Sequence, residues 1–244
     1  MKKTTIALVL LLCAAALCGQ YSYFYGKNKI VRHAFPWKYV DTKNFRIYHY
    51  MDDPELLERL AREAEKAYEK LSTLLNTTIE EKTPLIFYNK QTDLEQTSLY
   101  PGLIAPGSFE GFAEPVGNRV VIYGNRTSED LGRLIIHELS HSFENAILYR
   151  NRPSGMFSIN RPPLWVMEGF AEFMTGYWDS FNLMTVIDNV LSDRIPEIQE
   201  DGDIRSSYGT NRMPYDFGHL MYEFFYEKFG KKGIRDLLLS QRHP

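Results

Sequence analysis

The chain has 244 residues, with 28 Lys+Arg against 31 Asp+Glu, and two Cys. At 44% hydrophobic and 24% charged residues it is neither disordered nor fibrous, and its length allows one large domain with a sizeable core. A net charge of −3 gives no electrostatic case for nucleic acid as a partner.

The first element is a leader. Met1-Lys2-Lys3 is a short positive stretch, Ile6 to Cys18 is free of charge and strongly apolar, and Gly19-Gln20 restores polarity. That order of positive, apolar and cleavage regions reads as a secretory signal over 1–19, cut near Cys18 or Gly19; the apolar run is short for a bilayer span. The expected localisation is therefore secreted or periplasmic, with membrane attachment only if this segment is retained. A short uncleaved anchor and lipidation at Cys18 are the alternatives, the second disfavoured by the bulk of Leu17. Without the leader the chain keeps 26 basic and 31 acidic residues, a net charge of −5. Both cysteines, Cys13 and Cys18, leave with it, so the mature protein is expected to rely on its core, and on a metal, rather than on disulfides.

Residues 20–43 are aromatic and basic without a clear period and read as an N-terminal arm. Asn44 to Tyr50 alternates apolar and polar residues, as a strand does. Asp53-Pro54-Glu55 is a helix start, with Asp as N-cap and Pro at the first helical position. The helix runs to about Leu75, carrying Leu56, Leu57, Leu60, Ala64, Ala67 and Leu71 on one stripe. Pro84 to Asn89 is a second strand, the Gly- and Pro-rich stretch 100–118 is expected to be loop, and Arg119 to Tyr123 is a third strand. Thr127-Ser128-Glu129-Asp130 resembles a capping box opening a helix over Ser128–Tyr149. A Pro-rich connection follows to Pro163. Helices are expected over Leu164–Trp178 and Phe181–Leu191, then from Pro214 to Phe229, with Gly230 and Gly233 before a last short helix, Ile234–Ser240. A mixed β/α front half (44–126) and a helical back half (127–244) make an α+β domain over 44–244.

Inside the helix at 128–149 stands His137-Glu138-Leu139-Ser140-His141, the pattern H-E-x-x-H. Positions i and i+4 of an α-helix lie one turn apart and about 40° round, so both imidazoles face one side and can share a zinc ion. Glu138 sits about 100° round, beside the ligand line, where a base for a metal-activated water belongs. A metzincin needs Gly and His three and six residues after the second His; Glu144 and Ile147 stand there instead. The third ligand is expected to be Glu168, in Trp165-Val166-Met167-Glu168-Gly169-Phe170-Ala171-Glu172-Phe173. A carboxylate between Met167 and Phe170 on an apolar helix needs a partner or a metal. Two imidazoles and one carboxylate leave a fourth position open, the catalytic arrangement for zinc.

H-E-L-S-H followed by W-x-x-E-G-x-A-E-F resembles the thermolysin-like gluzincins, and the peptidase MA-like domains of bacterial envelope proteins in particular. Met213-Pro214-Tyr215-Asp216-Phe217-Gly218-His219 is similar to the P-Y-x-x-G segment of the aminopeptidase N family. The resemblance implies a zincin-like fold, with the active-site helix between the two halves. It also implies a zinc-dependent peptidase holding one Zn²⁺ through His137, His141 and Glu168, with Tyr215 donating to the oxyanion. Glu172, one turn after Glu168, is expected to orient a ligating His. His219, one turn after Tyr215, is a candidate for the cleft. The aminopeptidase N family holds the substrate amine with a G-x-M-E-N strand. The nearest segment here is Gly111-Phe112-Ala113-Glu114-Pro115, so Glu114 is a cleft candidate and exopeptidase specificity does not carry over. The strand 119–123 is expected at the cleft edge, where an extended substrate could pair with it. The expected partner is a peptide or protein substrate. The alternative reading is a peptidase-like module of the cell envelope that binds zinc or a partner protein without turnover.

Overall fold

The computed structural model describes residues 34–95, 110–114, 117–124, 127–149, 162–199, 202, 204–205 and 212–242. The segments read as a leader (1–19) and as the first part of the arm (20–33) lie outside them, as do 96–109 and 150–161. Strands β1 (Lys38–Asp41) and β2 (Phe45–His49) precede helix α1 (Pro54–Leu75), strand β3 (Thr83–Tyr88) and the one-turn helix α2 (Gln91–Glu95). Strands β4 (Gly111–Glu114) and β5 (Arg119–Tyr123) lead into α3 (Ser128–Tyr149), α4 (Leu164–Thr175) and α5 (Ser180–Leu191). Two-residue strands β6 (Glu197–Ile198) and β7 (Ile204–Arg205) pair ahead of α6 (Met213–Ser240). A sheet in the front half and helices in the back half make the fold α+β, as the element order implied.

Local chemistry explains the helix starts. The Asp53 carboxylate accepts the Leu56 N–H at 3.0 Å with Pro54 in the first turn, and the Thr127 hydroxyl accepts the Asp130 N–H at 3.1 Å. On α1, Leu56, Leu60, Ala64, Ala67, Tyr68, Leu71 and Leu75 are buried: Tyr68 and Leu75 join the predicted stripe, and Leu57 is only partly buried.

The five-stranded sheet has the order β1-β2-β3-β5-β4. The β2–β3 and β3–β5 pairs are parallel, and the outer strands β1 and β4 run antiparallel to their neighbours. Phe45, Ile47, Leu85, Phe87, Val120 and Ile122 share one core with α1 and α3. Tyr88 and Val121 pack on the other side with Phe35, Tyr50, Phe112 and Tyr123. Two expectations are corrected here. The arm read at 20–43 contributes strand β1, held to β2 by the register Lys38↔His49 to Asp41↔Arg46. The stretch read as loop at 100–118 contributes β4, and among the described residues β4 rather than β5 is the outer strand, since β5 lies between β3 and β4.

Helices α4 and α6 pack closely enough that no side chain fits between them. A Cβ on Gly169 would lie 2.5 Å from the Gly218 backbone, and one on Gly218 would lie 2.6 Å from the Trp165 carbonyl. Beyond the site, α6 breaks at Gly230, whose φ of 63° and ψ of −162° are not helical. Among the described residues no helix is long and apolar enough to cross a membrane.

Candidate metal centre

Helix α3 supplies His137 and His141, and α4 brings Glu168 against them. The Glu168 Oε2 is 3.5 Å from Nε2 of His137 and 3.5 Å from Nε2 of His141, and the rings meet edge-on at 5.3 Å. One donor atom from each residue falls within 4.8 Å of the others. Two ligands about 2.0–2.1 Å from a tetrahedral zinc ion are about 3.4 Å apart, so Glu168 stands at ligand spacing from each imidazole, and the three donors are close enough together to hold one ion. The donor set of two imidazoles and a carboxylate fits zinc equally well in kind.

The electrostatics of the cluster also ask for a cation. Burial pushes Glu168 up, but hydrogen bonds from His137 and His141 overcome it and hold the carboxyl below the usual range. Burial disfavours charge on both imidazoles. Glu168 and Glu138 nevertheless raise His137, and Glu144 and Glu168 raise His141 well above the ordinary value. The carboxylates thus favour positive charge between them, which a metal ion supplies in place of protons.

Glu138 is 7% exposed and raised in pKa chiefly by burial. Strand β4 crosses over it at Gly111, where an added Cβ would meet the Glu138 Cγ at 3.0 Å and the Val121 carbonyl at 2.9 Å. Only glycine lets β4 pass this close. Burial and the neighbouring Glu168 carboxylate raise the pKa of the Tyr215 hydroxyl. Arg212 lies 5.1 Å over the Tyr215 ring. The close crossing at Gly169 and Gly218 brings Tyr215 of α6 to Glu168 of α4.

Each remaining candidate has a definite place. Glu172 Oε1 is 3.9 Å from Nδ1 of His137, beyond direct hydrogen bonding, and accepts from Arg212 at 2.9 Å. Glu114 is committed to Arg119, its cross-strand partner, with Oε1 accepting from Nη2 at 2.7 Å. It stands three residues, about 10 Å, along β4 from the Gly111 crossing, so β4 meets the cluster through Gly111 and not through Glu114. His219 is 3% exposed and stacks on Trp178 at 4.2 Å and 4°, with Glu223 3.4 Å away. It serves the packing between α6 and the end of α4 rather than the cleft, and burial lowers its pKa.

The sequence reading missed Glu144. Fully buried, its Oε2 accepts from Nδ1 of His141 at 2.8 Å, and burial pushes it up to about 7 despite that imidazole. Its i+3 spacing from His141 was the available signal. Also missed were Arg212 and the buried Asp216, 3.6 Å from it and pushed by burial up to about 6. Set against models of known protein families and against curated proteins, the chain matches none.

Proposed function

We propose that the protein is a secreted or periplasmic zinc-dependent peptidase of gluzincin type. The observation that carries this reading is the pair of 3.5 Å separations between Glu168 Oε2 and the Nε2 atoms of His137 and His141, one helical turn apart beside Glu138. His137, His141 and Glu168 would hold one Zn²⁺. When bound, the ion supplies a Lewis acid for the scissile carbonyl and lowers the pKa of water toward about 7. Glu138 takes the proton of the attacking water on a carboxylate oxygen and returns it to the leaving amine. Burial favours the protonated carboxyl, so Glu138 is a readier proton carrier than a solvated Glu. The Tyr215 hydroxyl donates to the developing oxyanion. Glu144 keeps the His141 ring in the tautomer that presents Nε2.

The test is metal analysis and digestion of denatured casein by the purified protein, with and without chelator. About one zinc per chain and chelator-sensitive cleavage are expected. Glu138→Gln should retain zinc while kcat falls at least about 10²-fold. Protein that stays empty after zinc loading refutes the reading; bound zinc without cleavage assigns the module that binds without turnover.

A further inference from the structure

Helix α5 carries its apolar stripe on the outside. Val186 and Asn189 are its buried residues, and they mark the side laid toward α6. Leu183, Met184, Ile187, Val190 and Leu191 follow the i, i+1, i+4, i+7, i+8 spacing that normally marks a core-facing side. Here that side faces solvent, and Leu191 is 81%, Met184 59% and Ile187 47% exposed, with Phe181 beside them at 58%. The exposed apolar area of these six side chains is roughly 600 Å², the upper end of what a monomer shows in one patch.

Charge selects among the occupants. Asp179 caps the start of the helix, Asp193 and Glu197 follow its end, and Asp188 on the flank is neutralised by Arg194 at 2.6 Å. Asp179 at one end and Asp193 at the other make both ends of the apolar face acidic, with Glu197 opposite Arg205 in the β6–β7 register. A two-fold copy with α5 antiparallel to α5 would set Asp179 against Asp193, like charge on like. A bilayer with anionic headgroups is repelled for the same reason. An apolar helix with basic ends fits both the stripe and the rim. We propose that α5 is the docking site for a protein or peptide helix with an apolar stripe flanked by lysine or arginine.

The probe is a fluorescent amphipathic Leu/Lys helix peptide, with a matched Leu/Glu peptide as control. Binding is read by anisotropy on the full chain carrying Glu138→Gln, so that no peptide is consumed. The Leu/Lys peptide should bind and the Leu/Glu peptide should not. Met184→Glu with Ile187→Glu should weaken binding at least about tenfold. Asp193→Asn with Glu197→Lys should weaken it several-fold, and the melting temperature should hold in both, since all four side chains are exposed. The first pair makes the chain more acidic, so tighter binding by that variant would reduce the effect to bulk charge and overturn the proposal. Equal binding of both peptides overturns it as well. So does sedimentation of the unliganded chain as a dimer that Ile187→Glu dissociates, or flotation with phosphatidylglycerol vesicles lost in the same variant.

Discussion

Glu144→Gln separates a carboxylate that supports the metal from one that is merely buried. The carboxylate lies behind His141, fully buried, with Oε2 2.8 Å from the imidazole Nδ1. Gln keeps an oxygen that can accept Nδ1–H, so ring orientation survives and only the charge goes. A hydrogen bond to a charged group contributes about 1.5–3 kcal/mol, equivalent to about 10- to 150-fold in a dissociation constant. Outer-shell partners of metal-bound histidines, taken as a class, are worth about 10- to 100-fold in metal affinity. Both routes predict that Glu144→Gln weakens zinc binding by about 10- to 100-fold, read by competition with a chromophoric chelator at fixed pH. Glu172→Gln is the internal comparison. Its carboxylate stands 3.9 Å from Nδ1 of His137 and is engaged by Arg212, so its loss should matter less than that of Glu144. Zinc affinity of Glu144→Gln within twofold of wild type, or a larger loss in Glu172→Gln, refutes the assignment.

Tyr215→Phe removes one hydroxyl and leaves the ring. Zinc content should be unchanged and kcat should fall about 10²–10³-fold with KM little altered; full kcat would return Tyr215 to a packing role. Gly169→Ala puts a Cβ 2.5 Å from the Gly218 backbone. Overpacking of this kind costs about 1–3 kcal/mol, and a melting temperature lower by about 3–10 °C is expected; an unshifted melt would mean that α4 and α6 separate freely. Glu65 accepts from the Thr42 hydroxyl at 2.6 Å and the Asn44 N–H at 2.8 Å, tying the β1–β2 turn to α1. Burial raises its pKa, but these donors outweigh it and leave the carboxyl lowered in the folded protein. Its stabilisation is therefore complete above the unfolded value of about 4.3 and is lost as pH falls through the folded one. Glu65→Ala should cost about 1.5–3 kcal/mol in urea melts at pH 7, with the gap to wild type narrowing toward pH 3; a gap that does not narrow refutes the ionic role.

Features encoded within a few residues were legible without the fold. Asp53 before Pro54 and Thr127 before Asp130 set the starts of α1 and α3, because a cap closes within one turn. His137 and His141 share a face because the helical period places them there. The stripe of α1 named five of its seven buried residues, Leu56, Leu60, Ala64, Ala67 and Leu71, since a packed helix buries one side.

What required the tertiary structure is non-local. The Gly/Pro-rich stretch that yields β4 has weak strand character of its own, and its register from Gly111↔Ile122 to Glu114↔Arg119 comes from β5. That pairing decides that Gly111 crosses Glu138 while Glu114 is taken by Arg119. The Gly169–Gly218 crossing brings Tyr215 to Glu168, whereas His219, one turn further, turns to Trp178. The sequence also placed a helix at α5 without telling which side faces the protein. A hydrophobic stripe records that one side avoids water, and only the packing of neighbouring elements determines what covers it. On α1 that cover is α3 together with the inner face of the sheet; on α5 the stripe points outward.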